Sequence, residues 1–403
     1  MSNLPKGWSL VELNEICNIN MGQSPKSESY NENNIGLPLI QGNADIKNRK
    51  TLPRTYTSDI TKKCKIGDII MTVRAPVGAI AKSYHNACIG RGVCSITPKE
   101  NNDFLYHFLV GYEDKWDKLS QGSTFTAVNG NDIKKIKLPL PPLEEQKKIA
   151  DILSTVDKKI AFVEENINVT EELKKGLMQK LLTEGIGHTE FKDSELGRIP
   201  QGWELKTLGE LVFILTDYTA NGSFASLKEN VTYFNEPNFA ALVRTTDLKE
   251  KEFKPERFTD KRGYEFLKKS ALYGGEILMA NVGSIGEVYI VPEVDFPMTL
   301  APNMYLIKYN DNLINTYAYY FMNSSIFINQ LLSKIASTTL QAVNKANFKS
   351  IKIPLPPLEE QKKIADILST VDKKLENLKE KKQSFEELKK GLMQKLLTGE
   401  VRV

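Results

Sequence analysis

The stretch PLPPLEEQKKIADILSTVDKK, Pro139–Lys159, decides how this chain is read, because it occurs twice. The same 21 residues return at Pro354–Lys374, displaced by 215 positions. A second block, EELKKGLMQKLLT, runs from Glu171 to Thr183 and returns at Glu386–Thr398 with the same displacement. An internal repeat sets the architecture before any local reading. Each repeated stretch predicts one long helix. Pro139, Pro141 and Pro142 favour an extended approach, and Glu144 and Glu145 suit the positive end of a helix dipole. Ile149, Ile152, Leu153, Val156, Ile160, Val163, Ile167, Leu173, Leu177 and Leu181 then form one apolar stripe, largely in heptad rhythm, and Gly185 suits the position just past the helix. The second copy carries the matching stripe Ile364, Ile367, Leu368, Val371, Leu375, Leu378, Phe385, Leu388, Leu392 and Leu396, interrupted by Lys382. Forty residues of helix extend about 60 Å. A helix of that length with one apolar stripe needs a partner, and the other copy is at hand. The expectation is an antiparallel pair with pseudo-twofold symmetry that holds two globular lobes at a fixed distance. Two unrelated helices, each packed on its own lobe, are the plainer alternative.

Upstream of each helix the copies have diverged. LPKGWSLVEL (Leu4–Leu13) echoes IPQGWELKTL (Ile199–Leu208), and GDIIMTVRAPVGAI (Gly67–Ile80) echoes GEILMANVGSIGEV (Gly275–Val288). GSTFTAVNGNDIKKIKLPLPP, from Gly122, echoes STTLQAVNKANFKSIKIPLPP, from Ser337. The displacement grows from 195 to 208 to 215, so the longer second copy carries its extra residues in loops between shared landmarks. Asp68–Val73 and Glu276–Met279 read as strands, Phe104–Leu119 and Thr316–Leu332 as helices. The fold class is α/β (α+β): two globular lobes joined by two long antiparallel coiled-coil helices, as a pseudo-twofold internal repeat. The expected boundaries are 1–140 for the first lobe, 141–185 for the first helix, 186–355 for the second lobe and 356–403 for the second helix.

Composition narrows the classes. The chain's 403 residues carry 54 Lys+Arg against 50 Asp+Glu, net +4, which excludes a basic or acidic tail and leaves nucleic-acid binding open. Four cysteines, Cys17, Cys64, Cys88 and Cys94, fit no secreted disulfide framework. The start of the chain, MSNLPKGW, lacks a signal peptide's apolar run, and no segment reads as a transmembrane helix. A cytoplasmic protein is expected.

Catalytic motifs are missing. There is no GxxxxGK[ST] loop, no Asn/Asp-Pro-Pro-Tyr/Phe segment, and no GxGxxG after a strand. His85, Cys88 and Cys94 have neither a fourth partner nor zinc-like spacing, and read as packing residues and buried thiols. With only three histidines and no suitable Ser/Asp arrangement, nucleophilic catalysis has no support. No cofactor and no metal are expected.

The paired P-x-G-W starts (Pro5–Trp8, Pro200–Trp203), the GDIIMTVRAPVG and GEILMANVGSIG segments, and the twofold PLPPLEEQKKIA helix start together closely resemble the DNA specificity subunit (HsdS) of type I restriction–modification systems. The resemblance covers essentially the whole chain. It implies that each lobe is a target recognition domain reading one half of a split double-stranded DNA sequence. The helices would then act as ruler and docking platform for two methyltransferase (modification) subunits, with restriction subunits as an optional addition and no membrane partner. The chain itself would be non-catalytic. Base readout calls for Arg, Asn or Gln, and phosphate contact for Ser, Thr and amides near Gly. The candidate DNA-binding residues are Gln41, Asn43, Arg74, Arg91, Ser123 and Thr124 in the first lobe, and Arg244, Thr246, Asn281, Ser284, Thr338 and Thr339 in the second. Two loop pairs carry most of them: Gln41–Asp45 with Arg244–Asp247, and Gln121–Phe125 with Ala336–Leu340. Trp8 and Trp203 read as aromatics packed under their lobes. Lys249–Arg262 reads as a solvated mixed-charge loop. The rival readings are an enzyme with atypical motifs and a coiled-coil scaffold with protein-binding lobes.

Overall fold

In the computed structural model, residues 4–121, 128–249, 252–335 and 343–403 are described. The chain divides into two compact units, residues 1–166 with 378–403 and residues 167–377. Both boundaries fall inside the long helices, Leu143–Thr183 and Leu358–Leu396.

The two lobes share one strand plan. In the first, Cys17–Met21, Val93–Pro98, Ile69–Thr72 and Ile80–Lys82 lie side by side in that order; in the second, Val212–Asp217, Met304–Tyr309, Ile277–Ala280 and Val288–Ile290 do. A second sheet repeats as well. Thr55–Thr57, Leu37–Ile40, Ala87–Ile89 and Lys63–Cys64 correspond to Phe258–Thr259, Ala240–Val243, Met298–Leu300 and Ala271–Leu272. The central pair of that sheet is parallel in both lobes. Each lobe is closed by a two-stranded ladder just before its helix, Ser9–Glu12 with Lys137–Leu140 and Glu204–Thr207 with Lys352–Leu355. The second lobe adds a hairpin, Phe191–Ser194 with Gly197–Pro200, and the short helices Phe224–Asn230 and Lys261–Phe266. The expected helix over 316–332 is two helices, Asn315–Met322 and Ser325–Ile335. Ser324 makes the break: its buried hydroxyl donates to the Phe321 carbonyl and accepts from the Phe327 N–H. The four cysteines are buried free thiols, and burial pushes Cys17 and Cys94 up to about 12.

The doubled motif has a structural reason at each residue. Gln146 Nε2 donates to the Pro141 carbonyl at 2.9 Å, and Gln361 Nε2 to Pro356 at 2.9 Å, so the extended prolines and the first turn are tied together. Glu145 accepts from the Trp8 indole at 3.1 Å, and Glu360 from Trp203 at 2.9 Å. Both tryptophans are buried under their lobes. The far end of the other long helix closes each joint. Arg402 grips Glu145 at 2.8 and 3.1 Å, while the Ile186 N–H and His188 reach Glu360 at 2.9 and 2.8 Å. Gly185 and Gly399 turn the chain there with φ of 68° and 77°. Arg402 and Trp8 hold the Glu145 carboxyl below the usual carboxylate range.

The helices are antiparallel within each unit. In the first, Asp157 pairs with Lys389 at 2.6 Å and Glu164 with Lys382 at 3.1 Å, one heptad apart and running in opposite directions. In the second, Lys174 pairs with Asp372 at 2.6 Å, the repeat's own copy of the Asp157–Lys389 bridge. Ile149, Ala150 and Leu153 pack with Leu396 and Leu397 in one core; Ile364, Ala365 and Leu368 pack with Leu181 and Leu182 in the other. Each helix therefore packs on its own lobe and also on its partner. The stripe departs from expectation at Leu173, Ile367 and Leu388, which are 50%, 38% and 49% exposed. After buried Thr170 the inward position passes to Lys174, and in the second copy to Lys389, where each lysine reaches its aspartate.

Asp157 and Asp372 meet different neighbours. Tyr320 donates to Asp372 at 2.9 Å, whereas Asp157 faces the buried His107 at 3.8 Å. Burial outweighs the aspartate and pushes His107 down to about 4 from its ordinary 6.5. Its folded pKa lies below the unfolded one, so the unfolded state binds more protons between about pH 6.5 and 4, and stability falls as pH drops through that window. The expected loss is on the order of 2–3 kcal/mol. His107→Tyr, which copies the Tyr320 arrangement, should flatten the acid slope, as urea unfolding from pH 7 to 4 would register; equal slopes in both proteins would mean a charged imidazole.

Candidate nucleic-acid interface

Three loops meet at one end of each lobe, and the same backbone hydrogen bonds join them. In the first lobe Gly90 N–H donates to Ile40 (2.8 Å), Val73 N–H to Gly92 (2.9 Å) and Val128 N–H to Val73 (2.9 Å). In the second, Ala301 N–H donates to Val243 (3.0 Å), Asn281 N–H to Asn303 (3.1 Å) and Val343 N–H to Asn281 (3.2 Å). The three loops are those that follow Leu37–Ile40 and Ile69–Thr72 and the one that joins Ala87–Ile89 to Val93–Pro98, with their counterparts; Val128 and Val343 come from a further segment, just before the short helices Gly130–Lys134 and Lys345–Lys349. Close approach needs glycine: a Cβ on Gly92 would lie 2.1 Å from the Gln41 carbonyl oxygen, and one on Gly22 2.1 Å from that of Gly90.

One buried carboxylate organises each first loop. Asp45 (5% exposed) accepts the Gln41 N–H at 2.8 Å, and Asp247 (2% exposed) accepts the Arg244 N–H at 2.9 Å. Asp45 also holds Arg54 Nε at 3.3 Å. Asp247 holds the Arg244 guanidinium through Nε at 3.2 Å and Nη2 at 2.6 Å, and Glu256 reaches Nη2 at 2.9 Å.

The structure brings Gln41, Asn43, Arg74 and Arg91 onto these joined loops. Asn43, Arg74 and Arg91 are exposed and Gln41 half-buried. The Arg91 N–H donates to Ser24 Oγ at 3.2 Å. Arg244, Thr246 and Ser284 line a single cavity of about 470 Å³ with Arg257, Tyr233 and Asn303. Asn281 lies beside them, but its side-chain oxygen is buried and has no hydrogen-bond partner among the described residues. Ser123, Thr124, Thr338 and Thr339, and with them most of the second loop pair, lie outside the described residues. Sequence reasoning passed over Arg54 and placed Arg257 only within a solvated run. Arg54 has no counterpart arginine in the repeat: extending the ladders puts it opposite Ile40, whereas Glu256 stands opposite Val243.

Two lobes with the same loop frame but different side chains on it, built on a duplicated helix pair, define a two-domain specificity subunit. The chain belongs to the type I restriction–modification DNA specificity family: the family model "Type I restriction modification DNA specificity domain" matches residues 5–172 and again 200–387. The type I restriction enzyme MjaVIII specificity subunit of Methanocaldococcus jannaschii is 32% identical over 74% of this chain and 70% of its own length. The MjaIX specificity subunit of the same organism is 24% identical over 100% and 95%. In fold, the chain is similar to the S subunit of a type I restriction–modification system from M. genitalium, with a TM-score of 0.60 and 16% identity over 98% and 97% of the two chains. A chain from another type I R-M system aligns over the full length of both, with a TM-score of 0.60 and 20% identity. The family's role is DNA-sequence specificity rather than catalysis, and its two domains are the two lobes. Among the described residues, no helix is long and apolar enough to cross a membrane.

The glycine at the loop junction gives a direct check. Gly92→Ala forces its Cβ onto the Gln41 backbone and should cost about 1–3 kcal/mol of stability in the first unit. The loops there must part, so recognition of one half-site should weaken more than the other; thermal unfolding and binding to half-site variants measure the two effects.

Proposed function

We propose that this chain selects the target of a type I restriction–modification complex, each lobe reading one half of a bipartite double-stranded DNA sequence. The observation that carries this reading is the repeated loop frame with unlike side chains on it: Gln41 and Arg244 follow matching strand ends, and Val73 and Asn281 hold the same backbone place on the next loop. Base readers must differ between half-sites, whereas the frame that presents them need not. Gln41, Asn43, Arg74, Arg91, Ser123 and Thr124 form the first half's DNA-binding set; Arg244, Thr246, Asn281, Ser284, Thr338 and Thr339 form the second's. The working domains are residues 1–140 and 186–355, with the helical stretches 141–185 and 356–403 setting the gap and docking methyltransferase subunits, in the cytoplasm. Restriction subunits join the same assembly where the system cleaves. The mixed charge on the helix faces favours protein contact over DNA contact.

Long-read sequencing of adenine methylation, with and without the gene, tests the assignment. A single split, asymmetric motif should disappear with the gene; an unchanged methylome in a host whose methyltransferase subunit is expressed and active would overturn it. Exchanging residues 1–140 for the lobe of a relative should change one half of that motif only. Adding one heptad to both helices, between Glu164 and Lys174 and between Asp372 and Lys382, should lengthen the gap by about three base pairs, since seven residues rise about 10 Å. An unchanged gap would remove the ruler role.

A further inference from the structure

Each lobe sets one guanidinium against one buried aspartate at the loop junction, but delivers it from a different strand. In the second lobe Arg244, at the end of Ala240–Val243, lies on Asp247. In the first, the matching place is Gln41, and the guanidinium on Asp45 is that of Arg54, from the neighbouring strand edge. Where the first lobe has Arg54, the second has Glu256, which pairs with Arg244. The arginine has changed strands while its carboxylate has stayed in place.

We propose that Arg54 and Arg244 are equivalent guanine-reading residues, one for each half-site, and that Asp45 and Asp247 are the residues that position them. The inference rests on the DNA-specificity reading and deepens it. An arginine reads guanine by giving two parallel hydrogen bonds to O6 and N7, which requires a guanidinium held in one plane. Asp45 and Asp247 can hold it so because each is itself fixed by burial and by a backbone N–H. Among the described residues Arg54 is tethered through Nε only, and its side chain is 66% exposed, which leaves its two terminal nitrogens available to a ligand. Arg244 Nη1 has no hydrogen-bond partner among the described residues; the Nη2 contact, Glu256, is 78% exposed and yields when a base edge takes its place. Arg74 and Arg91 contrast with both. They are exposed and have no carboxylate partner among the described residues, which suits the less directional contact with phosphate.

Selection from randomised duplexes by the full-length chain in complex with methyltransferase subunits tests this. In R54A, one G·C position in one half-site should lose roughly ten- to hundredfold discrimination, with the other half and the gap unchanged. R244A should do the same in the other half. R54K keeps the charge but not the planar fork, so it should lose that same discrimination while binding overall about as well; it carries the test if R54A fails to fold. Uniform weakening on all sequences would make Arg54 a phosphate contact and overturn the assignment, as would unchanged preference in R54K. A wild-type complex with no sequence preference would instead overturn the specificity reading on which the assignment rests.

Discussion

A tryptophan indole donating to a helix-start glutamate is the contact on which the rest of this structure depends. Trp8 with Glu145 and Trp203 with Glu360 join the beginning of each lobe to the beginning of its long helix. Glu145 is buried, at 6%, and the Glu360 side chain is partly buried, at 14%, so each is held better with donors than without them. Leaving such a carboxylate one donor short costs about 1–3 kcal/mol. Each carboxylate also receives donors from beyond the end of the other helix, Arg402 on one side and Ile186 and His188 on the other. One joint thus fixes three segments that are far apart in sequence. The repeat preserves glutamate and tryptophan in both copies but satisfies the last donor sites with different residues.

The two halves divide what is held constant from what varies. The helix surfaces are nearly the same because each must complement the other: the Asp157–Lys389 bridge reappears as Lys174–Asp372. The loop junctions keep their backbone hydrogen bonds and buried aspartates, while the side chains displayed on them change. That division suits a subunit whose two domains meet different DNA sequences while offering one kind of surface to protein partners. It also explains how an arginine can move between strands without disturbing the frame, since the buried carboxylate accepts it from either direction.

The sequence by itself determined the duplication, the long helices, the packing of both tryptophans and the antiparallel pairing, because identical blocks with one apolar stripe complement each other wherever they meet. It also pointed to the loops that carry Arg74 and Ser284, since GDIIMTVRAPVG and GEILMANVGSIG place glycines at matching positions. Only the tertiary structure decided which side chains face inward. Lys174 and Lys389 displace Leu173 and Leu388 from the seam because a facing aspartate, 198 or more positions away, rewards the charge. Ser324 divides a stretch that reads as one helix, through hydrogen bonds to its own backbone that periodicity does not register. Arg54 has no motif and no counterpart in the repeat. Its partnership with Asp45 exists because a strand edge folds back over a buried carboxylate, a proximity that neither composition nor spacing encodes.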